Sequence, residues 1–184
     1  MIPARAQFNS GFRRQLAKTV EAPAQPHLAF MVDGHPYACP ITQVQHLMRF
    51  ADARTHEQAG EPAFGEIGKT LSLGGADNIP IFSVRLLWDL PPIPEGAGDR
   101  QALLIVEVNH RRTAFLVDSC LCVLPRLPGT TRFMVPAALR GARGAALKTA
   151  AIWDKSLLVT VDLAKLLPDN TAAHMASMQS TPSI

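Results

Sequence analysis

Gln101 to Leu124 reads QALLIVEVNHRRTAFLVDSCLCVL, two apolar runs separated by a polar turn. Leu104, Val106 and Val108 alternate at the two-residue period of a strand, and Thr113 to Val117 is β-branched and aromatic enough for a second. Asn109 tolerates positive φ better than other residues with a Cβ. Asn109-His110 therefore makes the reversal of an antiparallel hairpin and leaves Arg111 and Arg112 in solvent. Asp118 follows Phe115-Leu116-Val117 directly, a carboxylate at the end of an apolar strand.

Upstream, Leu28 to Val32 and His35 to Ile41 flank Asp33-Gly34, a strong hairpin signal because both central residues of a type I′ turn need positive φ. Pro36 and Pro40 cannot donate to a ladder, which places that second strand at an edge or makes it short. Val44, Leu47 and Met48 predict a brief strand or turn, Ala51 to Lys69 a loop, and Ile79 to Val84 a strand that passes into a helical turn at Leu86 and Leu87. Pro91 to Arg100, PPIPEGAGDR, supports neither regular element and marks a seam. Downstream of the opening hairpin, Pro125 to Gly144 reads as a long loop. Leu157 to Asp162 reads as a strand, and Leu163 to Leu167 as a short helix stopped by Pro168.

At the other end Phe8, Phe12, Leu16 and Val20 recur every four residues until Pro23, predicting an amphipathic helix that covers the core or docks a partner. The two halves share one plan of strand, turn, strand, long connection and apolar strand, which favours two small barrels over one open sheet. The expected organisation is an N-terminal helix and linker over 1–26, a β-rich domain over 27–168 and a mobile tail over 169–184. Within the domain, one barrel spans about 27–90 and the other about 101–168, with exchange of elements between them allowed.

The chain has 184 residues, 47% of them hydrophobic, enough for a sizeable core, and no apolar run long enough to span a bilayer. Residues 1–18 interrupt their apolar positions with Arg and Gln, so a signal peptide is not expected and a cytoplasmic location is. Three cysteines, Cys39, Cys120 and Cys122, fit buried thiols in a reducing compartment better than a disulfide framework. A metal at Cys120-x-Cys122 would need ligands from elsewhere, such as Cys39 or His46; no metal and no cofactor are expected. The net charge of +3 is spread along the chain with acids between the bases, a weak footprint for nucleic acid.

The sequence from about Leu28 to Leu167 resembles the CheW-like chemotaxis coupling proteins. AFMVDGHPYACPI is similar to the family's opening strand, Gly turn and Tyr-Ala step, and Val44-Gln45-His46-Leu47 to its V-x-E-V segment. Ser72-Leu73-Gly74-Gly75 resembles Asn-Leu-Arg-Gly, Pro80 to Arg85 resembles P-x-x-D-L-R, and Val117-Asp118 resembles the Val-Asp pair that ends the second hairpin. The resemblance implies a mainly β fold of two packed SH3-like five-stranded β-barrels with short helices at the N-terminus and C-terminus. It further implies a non-enzymatic adaptor between the cytoplasmic tip of methyl-accepting chemoreceptors and a CheA-type histidine kinase, recruited to membrane-associated receptor arrays, in a flagellar, type IV pilus or other non-flagellar chemosensory system. On this carry-over Val44, His46, Leu73, Gly74, Gly75 and Arg85 are the partner-binding positions; from the residues alone, the aliphatics read as core and Arg85 as an ordinary exposed charge. Departures from the family pattern are Gly74 for its Arg, His46 for its acid, Ser83 for its Asp, and one residue inserted before Pro80. Loss of a hot-spot Arg costs about 2 kcal/mol, roughly 30-fold in affinity, so a divergent adaptor is expected.

Two other classes compete. Ser119 lies beside Asp118, but neighbours on a strand face opposite ways and no G-x-S-x-G elbow exists, so no catalytic residue is assigned. A small-barrel nucleic-acid binder would use Arg126, Arg132, Arg140, Arg143 and Lys148; such a surface needs aromatic platforms, and the loop offers only Phe133.

Overall fold

The stretch that opens the sequence reading folds as an antiparallel hairpin of β7 (Ala102–Val108) and β8 (Arg111–Val117), with Val108 opposite Arg111. Asn109 at φ 51° and His110 at φ 63° form its two-residue turn. The same device closes β1 (His27–Val32) onto β2 (His35–Pro40), where Asp33 and Gly34 take φ 51° and 74°. It recurs between β11 (Leu147–Trp153) and β12 (Ser156–Val161), where Asp154 and Lys155 take φ 44° and 64°. Left-handed turns suit hairpins because their twist matches that of the strands.

These elements belong to a computed structural model that describes residues 25–58, 60–74, 78–93, 98–127, 132–135 and 145–167. The expected N-terminal helix and C-terminal tail lie outside the described residues. The remaining strands are β3 (Val44–Arg49), β4 (Thr55–Glu57), β5 (Glu66–Leu71), β6 (Ile79–Ser83), β9 (Ser119–Leu124) and β10 (Arg132–Met134). One four-residue helix, α1 (Val84–Leu87), follows β6 and is capped by Ser83. The fold is mainly β, as expected, in two sheets packed together, each of six strands rather than five. Leu163 to Leu167 provides a single 3-10 turn, Leu163–Lys165, in place of the expected short helix.

Both sheets draw strands from both halves of the chain. One runs β10-β11-β12-β2-β1-β9 and the other β3-β7-β8-β6-β5-β4. The β1–β2 hairpin thus sits among C-terminal strands, with β2 parallel to β12, while the β7–β8 hairpin sits among N-terminal strands, with β8 parallel to β6. The division near 27–90 and 101–168 does not follow the sheets; the hairpins are exchanged across it.

Burial explains the arrangement. On β7, Leu104, Val106 and Val108 face a core shared by the two sheets with Phe30, Val32, Phe115 and Val161, whereas Leu103 and Ile105 face a second cluster with Leu71, Ile79 and Ile81. A strand buried on both faces reads as a continuous apolar run, which is what LLIV provides. The sheet of β1 and β12 has its own small cluster around Ala38, Leu127 and Leu158.

The two stretches expected to be loops are partly strands. Ala51 to Lys69 contains β4 and most of β5, and Pro125 to Gly144 contains β10. In β5 only Glu66 and Leu71 are buried, so no alternation appears in EIGKTL. Its neighbours impose the extended form by pairing.

Candidate partner-binding surface

β3 is the outer strand of its sheet, bonded to β7 on one side. The register slips between Val44, opposite Val106, and His46, opposite Ile105, so two residues of β3 span one step of β7. Val44 is half-buried against the shared core, while Gln45, His46 and Leu47 are exposed, Leu47 at 49%. Gln45 reaches back to Glu107, Nε2 to Oε2 3.1 Å. After β5, Leu73 is half-buried against the cluster of Leu71 and Ile79, and exposed Gly74 takes φ 74°. Gly75 lies outside the described residues.

Arg85 is not the exposed charge its position suggests: only 8% of it is accessible. β6 lies parallel to β8, which brings the start of α1 beside the end of β8, where Asp118 stands. Arg85 donates from Nε to Asp118 Oδ1 at 2.8 Å, from Nη2 to Oδ2 at 2.7 Å, and from Nη1 to the carbonyl of Pro91 at 2.6 Å. Nη1 also lies 3.2 Å from Asp33 Oδ1. Asp118 Oδ2 in turn accepts the Asp33 amide at 2.7 Å. The hydrogen bonds with Asp118, opposed by burial and helped by the charges of Asp118 and Asp33, raise the guanidinium pKa above its ordinary value. One carboxylate thereby fastens α1, the β1–β2 turn and the end of β8 together.

A second staple was invisible in the sequence. Gln43, in the 3-10 turn before β3, donates from Nε2 to Asp162 Oδ1 at 2.9 Å and accepts the Leu163 amide on Oε1 at 3.1 Å. Asp162 also lies 3.6 Å from Lys148 Nζ, so one member of the expected basic loop is committed to an internal acid. Both strand-end Asp residues are structural, a role that a carboxylate following an apolar strand signals.

Where β3 passes the end of β9, an open cleft of about 520 Å³ separates the two sheets. Leu47, Met48 and Arg49 form one wall, Ser119 and Cys120 the other, with Ala102, Asp99 and Arg100 completing it. Leu47 lies opposite Leu104, whose side chain is in the shared core, so the wall continues that core into solvent. Arg49 is held by Asp52, Nε to Oδ2 2.9 Å. Val44 and His46 were the positions expected on this strand; Leu47, not among them, lines the cleft.

Cys39 and Cys120 pack on the same core cluster, and Cys122 stands apart. A bulge opposite Ala29 and Phe30 lets Leu121 intervene, so Cys120 packs toward the core while Cys122 is exposed. Burial pushes the Cys39 thiol up to about 12, with Cys120 adding to the rise, and burial pushes Cys120 up to about 11. No cluster suited to a metal ion occurs among the described residues, and none of their helices is long and apolar enough to cross a membrane.

The fold matches the crystal structure of the scaffolding protein TtCheW from Thermoanaerobacter tengcongensis with a TM-score of 0.62 and 17% sequence identity, over 80% of this chain and 94% of that one. No curated protein sequence matches the chain. The family model of the CheW-like domain matches residues 26–171, from just before β1 to just beyond the last 3-10 turn, and the chain therefore belongs to the CheW-like family.

Proposed function

We propose that this chain is a non-enzymatic coupling adaptor that joins the cytoplasmic tip of a chemoreceptor to a CheA-type histidine kinase. The family assignment supports an adaptor of chemotaxis signalling, and the cleft between the sheets is the observation that carries the finer reading. Exposed Leu47 and half-buried Met48 line one side of it, and that apolar lining of an open cleft supports a protein partner. In this reading the receptor tip occupies the cleft. The kinase engages β3 at exposed His46 and half-buried Val44, together with Leu73, Gly74 and Gly75. Arg85, enclosed by Asp118 and Pro91, serves that surface from behind by holding α1 in place. The adaptor works in the cytoplasm and reaches the membrane only through its receptor.

Purified chain titrated with its cognate kinase and, separately, with the receptor tip tests this. Binding to both at tens of micromolar or tighter is expected, and Leu47→Arg should weaken receptor binding about tenfold or more, the scale of a buried apolar contact replaced by a charge. Failure of both partners to bind at that concentration overturns the reading.

A further inference from the structure

We infer that residues 8–20 of this chain are an internal competitor of the receptor tip, an apolar stripe that lies in the cleft between the sheets until a receptor displaces it. The inference concerns regulation of that site and rests on the coupling reading above. The cleft is an open side of the shared core. Leu47 on β3 stands opposite Leu104, while Val123 and Cys120 on β9 stand opposite Leu28 and Phe30. Residues directly opposite on antiparallel strands share a face, and Leu104, Leu28 and Phe30 all belong to that core. Leu47 and Val123 therefore carry the inner faces of the two sheets past their last covered positions, and are left 49% and 51% exposed. β3 and β9 are the outer strands of their sheets, so among the described residues no further strand covers this side.

The chain enters the domain at one end of this side. The Pro26 carbonyl accepts the Ile41 amide at 3.0 Å, and Gln25 Nε2 donates to Thr42 Oγ1 at 2.8 Å, both in the 3-10 turn that leads into β3. His27, next along, pairs with Leu124 at the end of β9. The cleft lies at the opposite ends of the same two strands, where Leu47 to Arg49 faces Ser119 and Cys120. Each strand has six residues, a length of about 20 Å. Phe8, Phe12, Leu16 and Val20 make one apolar stripe at helical spacing, and the 13 residues from Phe8 to Val20 would span about 20 Å as a helix. The connection over 21–26 reaches up to about 20 Å, enough to lay the stripe along β3 and β9 in either direction. A tether this short holds the stripe at an effective concentration on the order of millimolar, which favours the chain's own segment over a free partner of similar affinity.

Nuclear magnetic resonance of the full chain with labelled Leu and Val methyls, together with titration by the receptor tip, tests this. Cross-relaxation from the Phe8 or Phe12 ring to the Leu47 or Val123 methyls is expected in the free protein and should vanish when the receptor tip is added. Phe12→Glu combined with Leu16→Glu should remove the same signals and bind the tip about tenfold tighter, the gain when a site open about a tenth of the time is opened fully. If neither ring contacts either methyl, or if contacts arise only between differently labelled copies, the internal cover is disproved whatever the receptor does. If the contacts are present and the variant binds the tip no more tightly than the parent, the competition is disproved and the coupling reading stands. If the contacts are present and neither parent nor variant binds the tip, the coupling reading fails and the competition with it, while the seating of the segment holds.

Discussion

Arg85 shows how far a single residue's role departs from its sequence neighbourhood. Nothing in FSVRLL distinguishes a surface arginine from one enclosed by a carboxylate 33 residues later in the chain. Two aligned hydrogen bonds join groups of 10% and 17% side-chain exposure, and removing one partner strands the other charge. Asp118→Ala should therefore lower unfolding stability by about 3–5 kcal/mol, read from urea denaturation, and Arg85→Ala by a similar amount. The double variant should cost clearly less than the sum of the two, since the residues act as one unit. The thiols separate by burial. In native protein Cys122 should react with a small disulfide reagent at once, Cys120 slowly and Cys39 only on unfolding. Because the folded Cys39 pKa is raised to about 12 from 9.0, the unfolded chain gives up that proton first as pH rises. Its linkage leaves stability untouched below about pH 9 and erodes it between about 9 and 12. Cys39→Ala should remove that part of the alkaline loss in pH-dependent melting curves, even if its cavity lowers the neutral baseline. Of the assigned partner positions, His46 and Gly74 reach solvent as their polar or small character suggests, while Val44 and Leu73 are half-buried, because one-sided exposure depends on which sheet covers a strand.

Turns were the most legible elements, since two-residue hairpins need left-handed residues and Asp33-Gly34 and Asn109-His110 supply them. Asp154-Lys155 adopts the same geometry with a lysine at φ 64°, a conformation for which a side chain with a Cβ gives no sequence signal. Strands stabilised by pairing rather than by pattern were the hardest to see. β11, LKTAAIW, holds small and polar residues and is fixed by β12 at its side and by the Thr149 and Thr160 hydroxyls, 2.7 Å apart. At His110, also left-handed, the side chain is almost wholly solvent-exposed, so His110→Gly should relieve local strain without loss of packing. A gain of about 0.5–1 kcal/mol in the denaturation midpoint is expected, the steric cost of a Cβ there less the extra freedom of unfolded glycine. A loss would show that the imidazole contributes more than its turn geometry costs.

Across the whole molecule, the sequence discloses two similar halves but not their interchange, because a parallel pairing such as β6 with β8 or β12 with β2 involves residues far apart in the chain and no local pattern specifies it. Neither half contains a complete sheet. Fragments covering 25–93 and 98–167 should each lack dispersed amide resonances alone, and should recover them when mixed, as nuclear magnetic resonance would detect. Independent folding of either fragment would contradict the exchanged arrangement. The same exchange bears on synthesis. Chains emerge from the ribosome amino end first, and the β1–β2 ribbon has both its outer rims unclaimed until residues 119–124 and 156–161 have been translated. For most of its elongation the nascent polypeptide therefore trails a sticky, half-finished layer, so cellular yield should depend on chaperone protection late in translation more than the settled stability of the finished protein would imply.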